Sequence, residues 1–247
     1  MRILLINPNM TQSMTDAMTD VARNTAKNSA QIIPVTATKG FPYISSLAEA
    51  QIAGAHLLET IAYHRSEVDA VIIAAFGDPG LLAARELFDL PIVGMAEAAV
   101  LTAAMLGDRV GVVTFSPEMA KWYRACVLQT GLGARFTGVR YPAAPPGSLE
   151  GIATALKEGL ITLIHQTKDK DYADVIILGG APLAGLAAKI ATETTCILVD
   201  PISAATAQAM ALLQLKPTYS SRSARPKGKI STGLSPALTA VLKGEQP

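Results

Sequence analysis

Three observations in this 247-residue chain predict an α/β fold built on parallel sheets. Short apolar, β-branched runs alternate with longer helix-like stretches along the whole length. Several of the runs lack polar alternation, as strands covered on both faces do. Asp or Ser followed by Pro closes several runs, the pattern of a strand feeding a capped helix.

In order, strands are expected over residues 3–6, 70–74, 91–94, 110–114, 175–178 and 196–199. Between them helices are expected over 12–27, 47–66, 96–106, 117–131, 149–167 and 203–215. The Pro/Gly cluster 141–147 reads as a loop, and 216–229 as a second irregular stretch. The run from Asp69 through Ile73 to Pro79 echoes the run from Asp174 through Leu178 to Pro182. Each has an acid, a buried strand, small residues and then a proline, which suggests two similar lobes facing one another.

Composition narrows the function classes. Half of the residues are hydrophobic, 17% are charged and the mean hydropathy is +0.32. Such a chain buries a large core, which argues against disorder. Lys and Arg number 21 against 20 Asp and Glu, so the charge gives no footprint for nucleic acid. Only Cys126 and Cys196 occur, too few for a disulfide scaffold or a cysteine-rich zinc site. The longest uncharged stretch, 175–188, is short and broken by glycines and a proline, so no membrane span is expected. The N-terminal apolar run is too short for a signal peptide, which makes the cytoplasm the expected compartment.

No phosphate-binding glycine motif, nucleophile elbow or His/Glu metal pair is present, so nucleotide binding has no support and no metal is expected. His56, His64 and His165 all fall within helical stretches, where a solvated face is their expected place. Ligands in open α/β sheets sit beyond the carboxyl ends of the strands. There the chain carries Asn7-Pro8-Asn9 leading to Thr11, and then Asp78-Pro79, Ser116-Pro117, Ala181-Pro182 and Asp200-Pro201. Several helix N-termini converging on one cleft suit a small anionic or carbonyl-rich molecule.

Three elements carry a family resemblance. They are Ile6-Asn7-Pro8-Asn9, Phe76-Gly77-Asp78-Pro79-Gly80-Leu81 with Ala83-Ala84-Arg85-Glu86, and Gly94-Met95-Ala96-Glu97-Ala98-Ala99. With Val112-Val113-Thr114, Val175 to Gly179 and Val199 to Ala205, the chain resembles the hydantoin and allantoin racemases of the Asp/Glu racemase superfamily. The resemblance implies two Rossmann-like (flavodoxin-like) lobes with parallel sheets and a cleft between them, no cofactor, and a homo-oligomer. Residues 1–95 with about 208–247 would form one lobe and 96–207 the other.

The resemblance also implies two cysteines facing each other across the substrate, one thiolate removing the α-proton and the opposite thiol returning one. Racemisation needs two such groups on opposite faces, tuned near the working pH. At those positions this chain has Ala75 and Gly180. Cys126, mid-helix, and Cys196, at the wrong end of its strand, do not replace them. Glu97, just past a strand end, is the candidate base, and Ser116 supplies a hydroxyl. Asp78 and Asp200 are expected to be weak bases, because a capped helix end stabilises the carboxylate. Asn9, Phe76, Gly77, Asp78, Thr114, Gly179, Ala181 and Asp200 are the candidate substrate contacts. Ala75 and Gly180 are expected to enlarge the cleft, and the basic segment 219–229 reads first as a solvated linker and second as a cover for the cleft.

The sequence thus points to a cofactor-independent enzyme of this family acting on a small cyclic amide or carboxylate. Two further readings stay open: the same scaffold running hydrolysis or decarboxylation, or a non-catalytic protein binding a small ligand.

Overall fold

The structure, a computed structural model, describes residues 1–145, 147, 151–219 and 227–244. Two four-stranded parallel sheets make its frame. The first holds β1 (Arg2–Asn7), β2 (Gln31–Thr36), β3 (Ala70–Ile73) and β4 (Ile92–Gly94) in the order β2-β1-β3-β4. The second holds β5 (Val110–Thr114), β6 (Phe136–Arg140), β7 (Val175–Gly179) and β8 (Ile197–Val199) in the order β6-β5-β7-β8. One topology is therefore used twice, and all the ladders are parallel.

The central strands form where the chain is apolar without interruption, because both of their faces are covered. Ile3 and Leu5 point to one face of β1, while Leu4 and Ile6 point to the other, and all four are buried. Of the four edge strands, β2, β4, β6 and β8, two are absent from the sequence expectations, β2 and β6. Only Ile32 of β2 is buried, and β6 is half-buried throughout. Their faces are only partly covered, unlike those of the buried edge strand β4, so their sequences lack the apolar run; Pro34 sits in β2 as edge strands allow.

Helices α1 (Gln12–Ala26), α2 (Leu47–His64), α4 (Met95–Leu106) and α9 (Pro201–Leu215) lie where the periodicity places them. The expected helix 117–131 is a 3-10 turn, Pro117–Met119, followed by α5 (Ala120–Gln129). The expected helix 149–167 is α6 (Ile152–Ala155) and α7 (Lys157–Asp171), broken at Leu156; Leu149 lies outside the described residues. The short helices α3 (Leu81–Leu87), α8 (Leu186–Ile190) and α10 (Pro236–Lys243) carry too few turns to show a period.

Helix α4 packs on β7, α5 and α9, and α9 packs back on α1, β3 and β4. These contacts join the sheets through one core that runs from Ile3 and Leu5 through Met95, Ala99 and Ala205 to Val112 and Ile177. A second core lies under α2 and α10, built on Leu4, Ile6, Val71, Ile73 and Phe88.

The repeated acid has a structural reason. Arg2 N donates to Asp69 Oδ2 at 2.6 Å, and Arg109 N donates to Asp174 Oδ2 at 2.9 Å. In each lobe the carboxylate before the third strand satisfies the backbone where the first begins.

Candidate active site

In both sheets the strand order reverses between the two central strands, β1/β3 and β5/β7. Such switch points are where open α/β sheets bind ligands. The loops beyond these strands face each other and, with the loop after β2, enclose a cavity. It is lined by Asn9, Met14, Tyr43, Ile44, Ala75 and Phe76 from one side, and by Phe115, Met119, Trp122, Tyr123, Ala181 and Pro182 from the other. Its volume is about 30 Å³, a fraction of the several hundred usual for a ligand pocket. In this conformation the two walls stand close together.

Ala75 lines the cavity, its carbonyl accepting from Asp78 N at 3.0 Å in the turn that ends β3. Gly180, directly after β7, has φ +123°, a conformation closed to most side chains. A Cβ there would lie 2.5 Å from Cε1 of Phe115 and 3.3 Å from the hydroxyl of Tyr123. The expected enlargement of the cleft is therefore absent on this side, because the Phe115 ring fills the space left by the missing side chain. Gly179 is equally confined, with Val112, Phe76 and Tyr123 around it.

Asn9 is buried. Its Oδ1 accepts from Thr11 N at 2.9 Å and from Asn7 Nδ2 at 3.0 Å, which leaves its Nδ2 against the sulfur of Met14 at 3.6 Å. A weak thioether acceptor is a poor partner for an amide donor. Thr114 is fully buried, and its Oγ1 has no partner of full hydrogen-bond geometry among the described residues. The polar group beside it is the Tyr123 hydroxyl. Burial pushes the Tyr123 phenol far up, Thr114 opposing, so it is neutral at any physiological pH.

The remaining candidates are occupied elsewhere. Glu97 receives Nη1 of Arg85 at 3.0 Å and pairs through its second oxygen with Nη2. Asp78 does not cap the helix that follows it. From φ +47° it reaches across to α4, accepting from Ala96 N and Glu97 N, each at 2.8 Å. Burial outweighs those bonds and pushes its carboxyl up to about 7, the reverse of the expected effect of a cap. Gly77, Asp78 and Glu97 line a separate groove of about 320 Å³ beside Trp122 and Cys126. Asp200 accepts from Ile202 N, Ser203 N and Gly185 N, so both its oxygens hold backbone. Ser116 caps the 3-10 turn, accepting from Glu118 N at 3.4 Å. Thr11 makes no side-chain cap on α1 and donates instead to the Pro42 carbonyl.

Cys126 is buried in α5 with its thiol pushed up to about 12 by burial. Cys196 precedes β8, its thiol likewise raised by burial. Lys216, Pro217 and Tyr219 lie by Arg65, Asp69 and Pro91, at the opposite ends of β3 and β4. The described start of the expected basic cover is therefore away from the cavity, and 220–226 lie outside the described residues. Among the described residues no cluster of three His, Cys, Asp or Glu is arranged to hold a metal. No helix among them is long and apolar enough to cross a membrane.

Residues 3–209 match the family described as Asp/Glu/hydantoin racemase. The chain belongs to this family. It is 31% identical to the hydantoin racemase of Paenarthrobacter aurescens, over 87% of this chain and 92% of the relative. Allantoin racemase from Klebsiella pneumoniae superposes with a TM-score of 0.87 at 32% identity, covering 94% of this chain and 96% of that one. Allantoin racemase from Pseudomonas fluorescens gives 0.88 at 30% identity, over 94% and 100%. This family member is a racemase-like enzyme of two parallel-sheet lobes, as its sequence implied.

Sequence reasoning missed most of the cavity wall. Of the chain's one Trp, six Tyr and five Phe, Trp122, Tyr43, Tyr123, Phe76 and Phe115 line this one space. Phe76 alone was named. Phe115 and Tyr123 stand one and nine residues past Thr114, and aromatic side chains just beyond a central strand were the signal available.

Proposed function

We propose that this family member acts, without a cofactor, on a small cyclic amide or carboxylate held between its lobes. In this reading its chemistry ends in protonating an enolate rather than in exchange between two thiols. The observation that carries the reading is the pair of cleft walls: Ala75 offers no titratable group, and the side-chain space of Gly180 belongs to Phe115. Position 75 carries no base, and the Tyr43 phenol on that wall donates to Glu118 and is held protonated by burial, so in this reading the enolate arises by breaking another bond. Loss of CO2 from a carboxylate is the source that asks for no second group. The buried Nδ2 of Asn9, held only by a thioether, is the donor that meets the enolate oxygen. A homo-oligomer, which rests on the family resemblance, and a cytoplasmic place, which rests on the short apolar N-terminal run, complete this reading.

The test is incubation with 2-methyl-2-phenylmalonate, whose carbanion the phenyl ring stabilises. Release of CO2 with formation of 2-phenylpropionate is expected. A ligand-induced thermal shift without turnover would make the protein a binder, and no response at all would remove this substrate class.

A further inference from the structure

The second wall of the cavity carries one hydroxyl that nothing above has used. Tyr123, on α5, is 3% exposed and lines the cavity across from Ala75. Its ring is held by Phe76, centroids 4.6 Å apart, and by Trp122 at 6.0 Å. Its hydroxyl lies 3.3 Å from the point where a Cβ on Gly180 would stand. The family's second thiol would hang from that point, so the phenol stands beside the position that the resemblance gives to a sulfur. The unpartnered Oγ1 of Thr114 lies beside the phenol.

We infer that Tyr123 is the proton donor of this site, and that the site delivers its proton to one face of the substrate only. The inference rests on the enolate reading given above and names the residue that completes it. As CO2 leaves, the electron pair of the broken C–C bond remains on the α-carbon as an enolate. The O–H bond of Tyr123 then breaks, its proton forms the new C–H bond, and the phenolate keeps the electron pair. Thr114 Oγ–H turns to donate to that phenolate, the partner its buried hydroxyl otherwise lacks. Water returns the proton to Tyr123. In sum the carboxylate consumes one proton from solvent and yields CO2 and a C–H bond. On the Ala75 wall Ala75 offers no proton and the Tyr43 hydroxyl donates to Glu118 Oε2 at 3.2 Å, so the product has one configuration.

The experiment follows 2-methyl-2-phenylmalonate in D2O with the full chain, reading CO2 release, the enantiomeric excess of 2-phenylpropionate and its α-deuterium. Wild-type protein is expected to give one enantiomer carrying one deuterium. Tyr123→Phe is expected to lose roughly 100-fold or more in kcat with KM within a few-fold, its residual product being racemic. Retained enantiomeric excess in Tyr123→Phe, at whatever rate, overturns the donor role, since a group that only shapes the wall leaves the proton's path unchanged. If Tyr123→Phe fails to fold, 3-fluorotyrosine at position 123 keeps the packing and makes the phenol more acidic. The H/D ratio at the α-carbon in mixed H2O/D2O then shifts if Tyr123 is the donor, and an unchanged ratio overturns it. No CO2 release by the wild type would sink the enolate reading itself and this inference with it. Release that ignores Tyr123 would sink the inference alone.

Discussion

Lobe 1 leaves β3 through Ala74-Ala75-Phe76-Gly77-Asp78, and lobe 2 leaves β7 through Gly180-Ala181-Pro182. The two exits stand at matching places in matching sheets, and each lacks the thiol that the family resemblance puts there. Beyond that they differ. Ala75 lines open cavity and keeps an ordinary turn, so the loss on this side is the loss of a sulfur atom. Gly180 has φ +123° and a phenyl ring where its side chain would be, with a buried tyrosine hydroxyl alongside. The lesson is that the same missing residue type can mean a deletion in one lobe and a rebuilt wall in the other.

The comparison breaks most visibly if each side is given its cysteine. Gly180→Cys combines backbone strain with overpacking and is expected to cost about 2–4 kcal/mol in urea unfolding. Ala75→Cys adds one atom at a cavity edge and is expected to stay within about 1 kcal/mol. Adding Phe115→Ala to Gly180→Cys should recover part of the loss. Equal costs at 75 and 180 would show that lobe 2 was not rebuilt around Phe115.

A smaller effect concerns how lobe 1 holds α4. With its carboxyl near 7, Asp78 keeps a proton in the folded protein that the unfolded chain gives up around pH 4. The unfolded state therefore binds fewer protons than the folded one between about pH 4 and 7. Stability due to this group falls as pH rises through that window and levels off above it. Asp78→Asn should flatten that slope in urea titrations run from pH 4 to 8. A slope unchanged in the variant would assign it to other groups.

The smallest effect is expected at Glu97. Its ion pair with Arg85 is partly exposed, at 25% and 36% for the two side chains, so Glu97→Gln should cost no more than about 1 kcal/mol. CO2 release should stay at the wild-type rate, because the carboxylate lies on the groove side of Asp78. A hundredfold loss of turnover would return Glu97 to the site as the base that position 75 lacks.

These contrasts also mark what the sequence makes legible. Buried central strands were readable because a parallel strand covered on both faces must be apolar throughout, as in Val175–Gly179. The edge strands β2 and β6 were not, since their faces are only partly covered, whereas the edge strand β4 is buried and was readable. At the site, Ala75 and Gly180 were found through the family motifs. That Phe115 fills the place of one side chain depends on a ring crossing between β5 and β7, which no spacing encodes. Asp78 was read as a cap, and it is one, but for a helix that begins seventeen positions later in the chain. Its burial, and with it the direction of its pKa, follows from that tertiary reach.

The account's central claim is that positions 75 and 180 hold no pair of opposed groups able to exchange an α-proton across this cleft. The most direct test is the α-proton NMR signal of each pure enantiomer of 5-benzylhydantoin in D2O, with the protein at high concentration. The signal of both enantiomers should persist beyond the spontaneous rate, with no enzyme-dependent inversion. Enzyme-dependent loss of the signal from both enantiomers, with convergence to the racemate, would contradict it.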